Sequence, residues 1–109
     1  MSGPARKIRV LIVDDSAVIR KLVTEALTAD PQIEVIGSAQ NGQLAVERVA
    51  RLKPDAVTMD IEMPVMNGID AVRVIRRTNP RLPIVMFSTL TERGASATLD
   101  ALQAVSYTH

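Results

Sequence analysis

Cysteine and tryptophan are absent from this 109-residue chain, and phenylalanine and tyrosine occur once each. Without cysteine there is no disulfide framework and no thiolate metal site. With so few rings, the stacking platforms that grip single-stranded nucleic acid are missing, and the core has to be aliphatic with methionine filling the gaps. An excess of one charge is lacking too. Thirteen basic residues stand against twelve acidic ones, a net charge of +1, so no global field favours nucleic acid or a membrane surface. No apolar run approaches membrane-spanning length, and the stretch from Met1 to Lys7 has no apolar segment of the signal-peptide kind. The expectation is a cytoplasmic protein with neither nucleic acid nor membrane among its partners.

What the chain does have is 47% hydrophobic residues, enough for one small core, and three aspartates at the ends of apolar runs. Ile8-Arg9-Val10-Leu11-Ile12-Val13 leads directly into Asp14-Asp15, and Ala56-Val57-Thr58-Met59 leads directly into Asp60. Both runs are short and rich in β-branched residues, the pattern of strands buried on both faces of a parallel sheet. The carboxyl ends of such strands point the same way, so the three aspartates can converge on one pocket. Crowded carboxylates repel one another unless a cation sits among them. A hard divalent ion with oxygen ligands, Mg²⁺, is the simplest resolution. Each aspartate alone has an ordinary explanation, because aspartate at a strand-to-helix junction caps the helix and complements its dipole.

Strand and helix signals alternate along the chain. Ser16 is placed to cap a first helix with apolar residues Val18, Leu22, Val23, Ala26 and Leu27 at helical spacing, and Asp30-Pro31 ends it. A second strand runs from Ile33 to Ser38. Asn41-Gly42 opens a second helix, with Ala45, Val49 and Leu52 on one face, and Lys53-Pro54-Asp55 stops it. The third strand ends at Asp60. Met63-Pro64-Val65-Met66-Asn67-Gly68 reads as a turn-rich loop. A third helix follows from about Ile69 to Arg77, a fourth strand from Pro83 to Phe87, and a last helix from Thr91 or Glu92 to about Leu102. Repeated βα units imply a parallel sheet with right-handed crossovers and helices on both faces. The chain is too short for six strands, which favours the flavodoxin-like order 2-1-3-4-5 and makes strands one and three neighbours at the switch point.

Ser88 closes the fourth strand, so its hydroxyl is expected at the same rim, where the ordinary role would be to cap the next turn. Arg73, Arg76, Arg77 and Arg81 cluster near the end of the third helix and read as a solvated face favoured by the helix dipole.

Val13-Asp14-Asp15-Ser16, the stretch from Met59 to Gly68, and Met86-Phe87-Ser88-Thr89 together resemble a two-component receiver domain. The stretches from Asp60 to Asp70 and from Met86 to Leu102 are similar to one subfamily, the N-terminal regulatory domain of the chemotaxis protein-glutamate methylesterase. The resemblance implies that Asp60 accepts a phosphoryl group from a histidine kinase. It also implies that Asp14, Asp15 and Asp60 hold Mg²⁺ with the backbone carbonyl of Glu62. It makes Ser88 a hydrogen-bond donor to the phosphoryl group, and gives the parent protein a C-terminal esterase domain as the regulated partner. The physics suits these roles, because a carboxylate attacks a phosphate dianion poorly until a metal neutralises charge on both.

The likeness covers about residues 7 to 102, which sets the expected organisation: an N-terminal tail over 1–6, the receiver over 7–102, and an altered or truncated tail over 103–109. The fifth-strand lysine of receivers has no counterpart before His109, and the Gly-Ala loop that leads to it is missing from Gln103 to His109. Strand four is then expected to be an edge, without a covering fifth helix, that offers itself for self-association. No Gly-x-Ser-x-Gly nucleophile elbow occurs in the chain, so ester hydrolysis is not expected of it. Two other readings compete. An aspartate-nucleophile phosphatase of the haloacid dehalogenase kind would need a second Asp where Glu62 stands, and it has no place for the Asp14-Asp15 pair. A vestigial receiver could act as an interaction module.

Overall fold

Apolar strands flanked by polar helix starts give a parallel sheet in the order β2-β1-β3-β4. The structure, a computed structural model, describes residues 6–88. The strands are β1 (Ile8–Val13), β2 (Ile33–Ala39), β3 (Ala56–Asp60) and β4 (Ile84–Phe87), and the helices are α1 (Ala17–Thr28), α2 (Gly42–Leu52) and α3 (Gly68–Thr78). Element order and strand order are those expected for the first four strands. The expected last helix, Thr89 and the tail from Gln103 onward lie outside the described residues. The expectation of self-association through strand four rests on those residues as well.

The sheet divides the core in two. Leu11, Val13, Val57 and Met59 pack with Ala45 and Val49 of α2 and Ala71 and Ile75 of α3 on one face. Val10 and Ile12 meet Val23 of α1 on the other. Leu11, Ile12 and Val13 are each 0% exposed, because β1 lies between two strands and beneath helices on both sides. Truncating such a residue to alanine costs about 2–5 kcal/mol.

Each helix begins where an oxygen-bearing side chain replaces a missing backbone acceptor. Ser16, Asn41 and Asn67 accept from the amides of Ile19, Leu44 and Asp70 at 3.3, 2.9 and 2.9 Å. The Arg9 guanidinium closes the other end of α2, donating to the carbonyls of Leu52 and Lys53 at 2.8 Å each.

Two expectations need correction. Val18 and Leu22 do not face the core: they are 67% and 55% exposed. The buried stripe of α1 is Ile19, Val23 and Leu27, one position further along the helix. Apolar residues occupy both stripes, and no described element covers the second. Arg76, grouped with the solvated arginines, is half-buried and donates to the carbonyls of Asn79 and Leu82 at 3.1 and 2.6 Å. It ties the end of α3 to the approach to β4.

Candidate functional site

The pairing register builds the site. Val13 of β1 stands opposite Met59 of β3, so Asp14, just past the end of β1, and Asp60, the last residue of β3, stand side by side. Asp15 follows on the loop into α1. One carboxylate oxygen from each of the three lies within 4.8 Å of the other two. The convergence expected from the strand ends is therefore present.

Burial differs sharply within the trio. Asp14 is 0% exposed and Asp60 2%, while Asp15 is open to solvent. Asp14 Oδ1 accepts from the amide of Ser16 at 2.8 Å, but its Oδ2 is buried with no hydrogen-bond partner. Asp60 Oδ1 accepts from the amide of Glu62 at 3.2 Å. Burial, opposed by the Ser16 amide, pushes the Asp14 carboxyl above its ordinary value. Burial first and the neighbouring Asp14 second push Asp60 from 3.8 to about 7. Two buried acids side by side resist joint ionisation.

An orphaned buried carboxylate oxygen is costly unless something completes it. An all-oxygen donor set open on one side suits a hard cation that keeps several of its waters. The residues present therefore fit Mg²⁺.

Phe87 pairs with Asp60 across β3 and β4, which carries Ser88 to the same rim. Its hydroxyl is 3.5 Å from Glu62 Oε1, at the limit of a hydrogen bond. The Glu62 carboxylate and amide thus face Ser88 and Asp60 respectively.

Three contributors carry no signal in the sequence pattern. The Arg20 guanidinium reaches back along α1 and donates to the Asp14 backbone carbonyl at 2.7 Å, placing a cation beside the buried acids. Gly68, at the start of α3, donates its amide to the Ile61 carbonyl at 2.8 Å. A Cβ at Gly68 would lie 2.1 Å from the Asp60 carbonyl oxygen, so only glycine lets α3 begin this close to the site. Gly42 plays a similar part, with its amide bonded to the Met66 carbonyl at 2.8 Å. The Asn-Gly pairs signal turns, but not that two helix starts close on one loop.

Residues 10–107 match the family model of the response regulator receiver domain. The chain belongs to that family. Over 97 residues it is 68% identical to a protein-glutamate methylesterase/protein-glutamine glutaminase from a Nocardioides species, covering 89% of this chain and 26% of that protein. A protein of the same description from Pyrococcus abyssi is 52% identical over 98 residues, 90% of this chain and 26% of the relative. The receiver thus spans about a quarter of the length of the curated relatives it matches. Among solved structures, the response regulator domain of Thermotoga maritima CheB is similar with a TM-score of 0.74 and 47% identity, over 90% of this chain and 72% of that one. The CheX-CheY-BeF3-Mg complex from Borrelia burgdorferi gives a TM-score of 0.73 and 31% identity, over 88% and 73%. Both likenesses bear out the flavodoxin-like arrangement, and the first bears out the resemblance to the methylesterase regulatory domain. Among the described residues, no helix is long and apolar enough to cross a membrane.

Proposed function

We propose that this receiver is a phosphoryl switch of a chemotaxis pathway, with Asp60 as the acceptor and a histidine kinase as the donor. The carrying observation is the convergence of Asp14, Asp15 and Asp60 around a buried carboxylate oxygen that has no protein partner. Asp14, Asp15 and Asp60 would hold Mg²⁺, joined by the backbone carbonyl of Glu62. When bound, Mg²⁺ would neutralise charge on the carboxylates and on the incoming phosphoryl group. In this reading an Asp60 carboxylate oxygen attacks phosphorus, the bond from phosphorus to the donor nitrogen breaks, and an aspartyl phosphate results. Ser88, half-buried at the rim, would donate its hydroxyl to a phosphoryl oxygen and give up its weak bond to Glu62.

The receiver occupies residues 7–102 in this reading, and residues 1–6 and 103–109 flank it. The likeness to methylesterase relatives supports a cytoplasmic parent protein whose esterase domain is the regulated partner. A small phosphodonor such as acetyl phosphate tests the reading, with Mg²⁺ and with EDTA. Stoichiometric, Mg²⁺-dependent labelling of one aspartate supports a receiver. Continuous release of phosphate would make the chain a phosphatase, and no reaction would leave the pocket vestigial.

A further inference from the structure

Next to the acidic pocket, a second cleft opens where the end of β2 meets α1 and α2. Its lining is Arg20, Ser38, Ala39, Gln40, Leu44 and Arg48, and its volume is about 190 Å³. The two helices lie on opposite faces of the sheet, so their arginines come to the rim of edge strand β2 from opposite sides. Both guanidinium-bearing residues are half-buried. Among the described residues the ion pairs within 4 Å are Arg6 with Asp55 and Arg73 with Asp70, which leaves Arg20 and Arg48 without an acid partner there. Arg20 donates one N–H to the Asp14 carbonyl, and among the described residues its remaining side-chain donors have no hydrogen-bond partner.

We propose that this cleft binds a small oxyanion of the phosphate class, either free phosphate or the phosphate end of a compact monoester. Two like charges facing one cleft raise each other's free energy, and a dianion between them reverses the sign of that interaction. Arginine presents a planar fork of donors that matches phosphate oxygens in pairs. Ser38 and Gln40 add a hydroxyl and an amide donor, and Ala39 and Leu44 supply a short apolar wall. At about 190 Å³ the cleft falls below the roughly 300–1,000 Å³ of sites for drug-sized ligands. Its occupant therefore has few heavy atoms. Phosphate in the acidic pocket would face three carboxylates, so metal-free conditions confine the ion to the arginine cleft and separate this site from the one proposed above.

The test is an NMR titration of the ¹⁵N-labelled 109-residue chain with inorganic phosphate, in EDTA and at constant ionic strength maintained with sodium chloride. The expected result is saturable movement of the Ser38 and Gln40 amides and of the Arg20 and Arg48 Nε–H signals, complete below about 10 mM. Arg48→Gln should weaken it about tenfold or more, since hydrogen bonds between charged groups are lost. Arg48→Lys, which keeps the charge and loses the fork, should bind several-fold more weakly than wild type. Unsaturated drift, equal binding by Arg48→Gln, equal binding by Arg48→Lys, or saturation by a short polyglutamate peptide but not by phosphate would each overturn the proposal.

Discussion

Gly68 and Asp60 are locked together through the backbone: a Cβ on Gly68 would stand 2.1 Å from the Asp60 carbonyl oxygen and 3.0 Å from Cα of Ile61. The obstacle is main chain rather than a movable side chain, so room for a Cβ could come only from moving α3 away from the end of β3, which displaces the site.

Gly68→Ala is accordingly expected to destabilise the chain by about 1–3 kcal/mol, the usual range for overpacking. A urea melt should show the lower midpoint. Mg²⁺ binding, read by calorimetry, should weaken in the same variant because the Asp60 backbone moves. A wild-type midpoint in Gly68→Ala would contradict the close approach.

Val65 carries the opposite promise. This β-branched residue sits at φ 69° and is 78% exposed, so it holds a left-handed backbone that costs an L-residue about 1–2 kcal/mol and contributes little burial in return. Val65→Gly should therefore stabilise the chain by about 1 kcal/mol, after allowing for the greater entropy of glycine in the unfolded state. Thermal unfolding of the two proteins side by side checks this.

Acidity should reveal the buried pair. The Asp60 carboxyl is raised from 3.8 to about 7 in the folded chain, so the folded state binds the proton more tightly than the unfolded state. Asp60 therefore contributes stability that is fully present below pH 3.8 and is lost as pH rises through about 7. Without metal, the stability of wild type relative to Asp60→Asn should fall between about pH 4 and pH 7. Taking the difference between the two proteins cancels the distant carboxylates and leaves the titration of Asp60 with its coupled neighbour Asp14. A flat difference across that window would show that Asp60 is not held protonated.

Metal should act in the other sense, by binding the deprotonated folded state. Mg²⁺ is expected to raise the thermal midpoint in proportion to the logarithm of its concentration above Kd. Asp15→Asn should bind Mg²⁺ more weakly by calorimetry, while the metal-free variant melts at the same temperature or higher because a like charge is gone. Equal affinity in the two proteins would remove Asp15 from the ligand set.

The strand ends are legible in the sequence because a buried parallel strand announces itself as a short β-branched run. The residue after such a run has to lie at one edge of the sheet. That pattern alone places Asp14 and Asp60, and the Asn41 helix start is as plain, whereas Asn67 reads as part of a loop and is a helix cap only in the fold. Which side of α1 faces inward is not legible. Val18 and Leu22 recur at the same spacing as Ile19, Val23 and Leu27, and periodicity cannot choose between two adjacent apolar stripes. Arg20 is invisible for another reason. Its bond to the Asp14 carbonyl spans a helix start whose geometry depends on how Ser16 caps it. Arg48, near neither aspartate in sequence, joins it only because both helices meet the end of β2.

Whether Asp60 accepts the phosphoryl group is decided by one comparison of intact masses. Wild type and Asp60→Asn are incubated with acetyl phosphate and Mg²⁺, and their masses are read before the acyl phosphate hydrolyses. The substitution is nearly isosteric, and circular dichroism of the variant checks that the fold is kept. Wild type should gain the mass of one phosphoryl group, lose that gain in EDTA, and Asp60→Asn should gain nothing; labelling of Asp60→Asn to the wild-type extent would contradict the assignment.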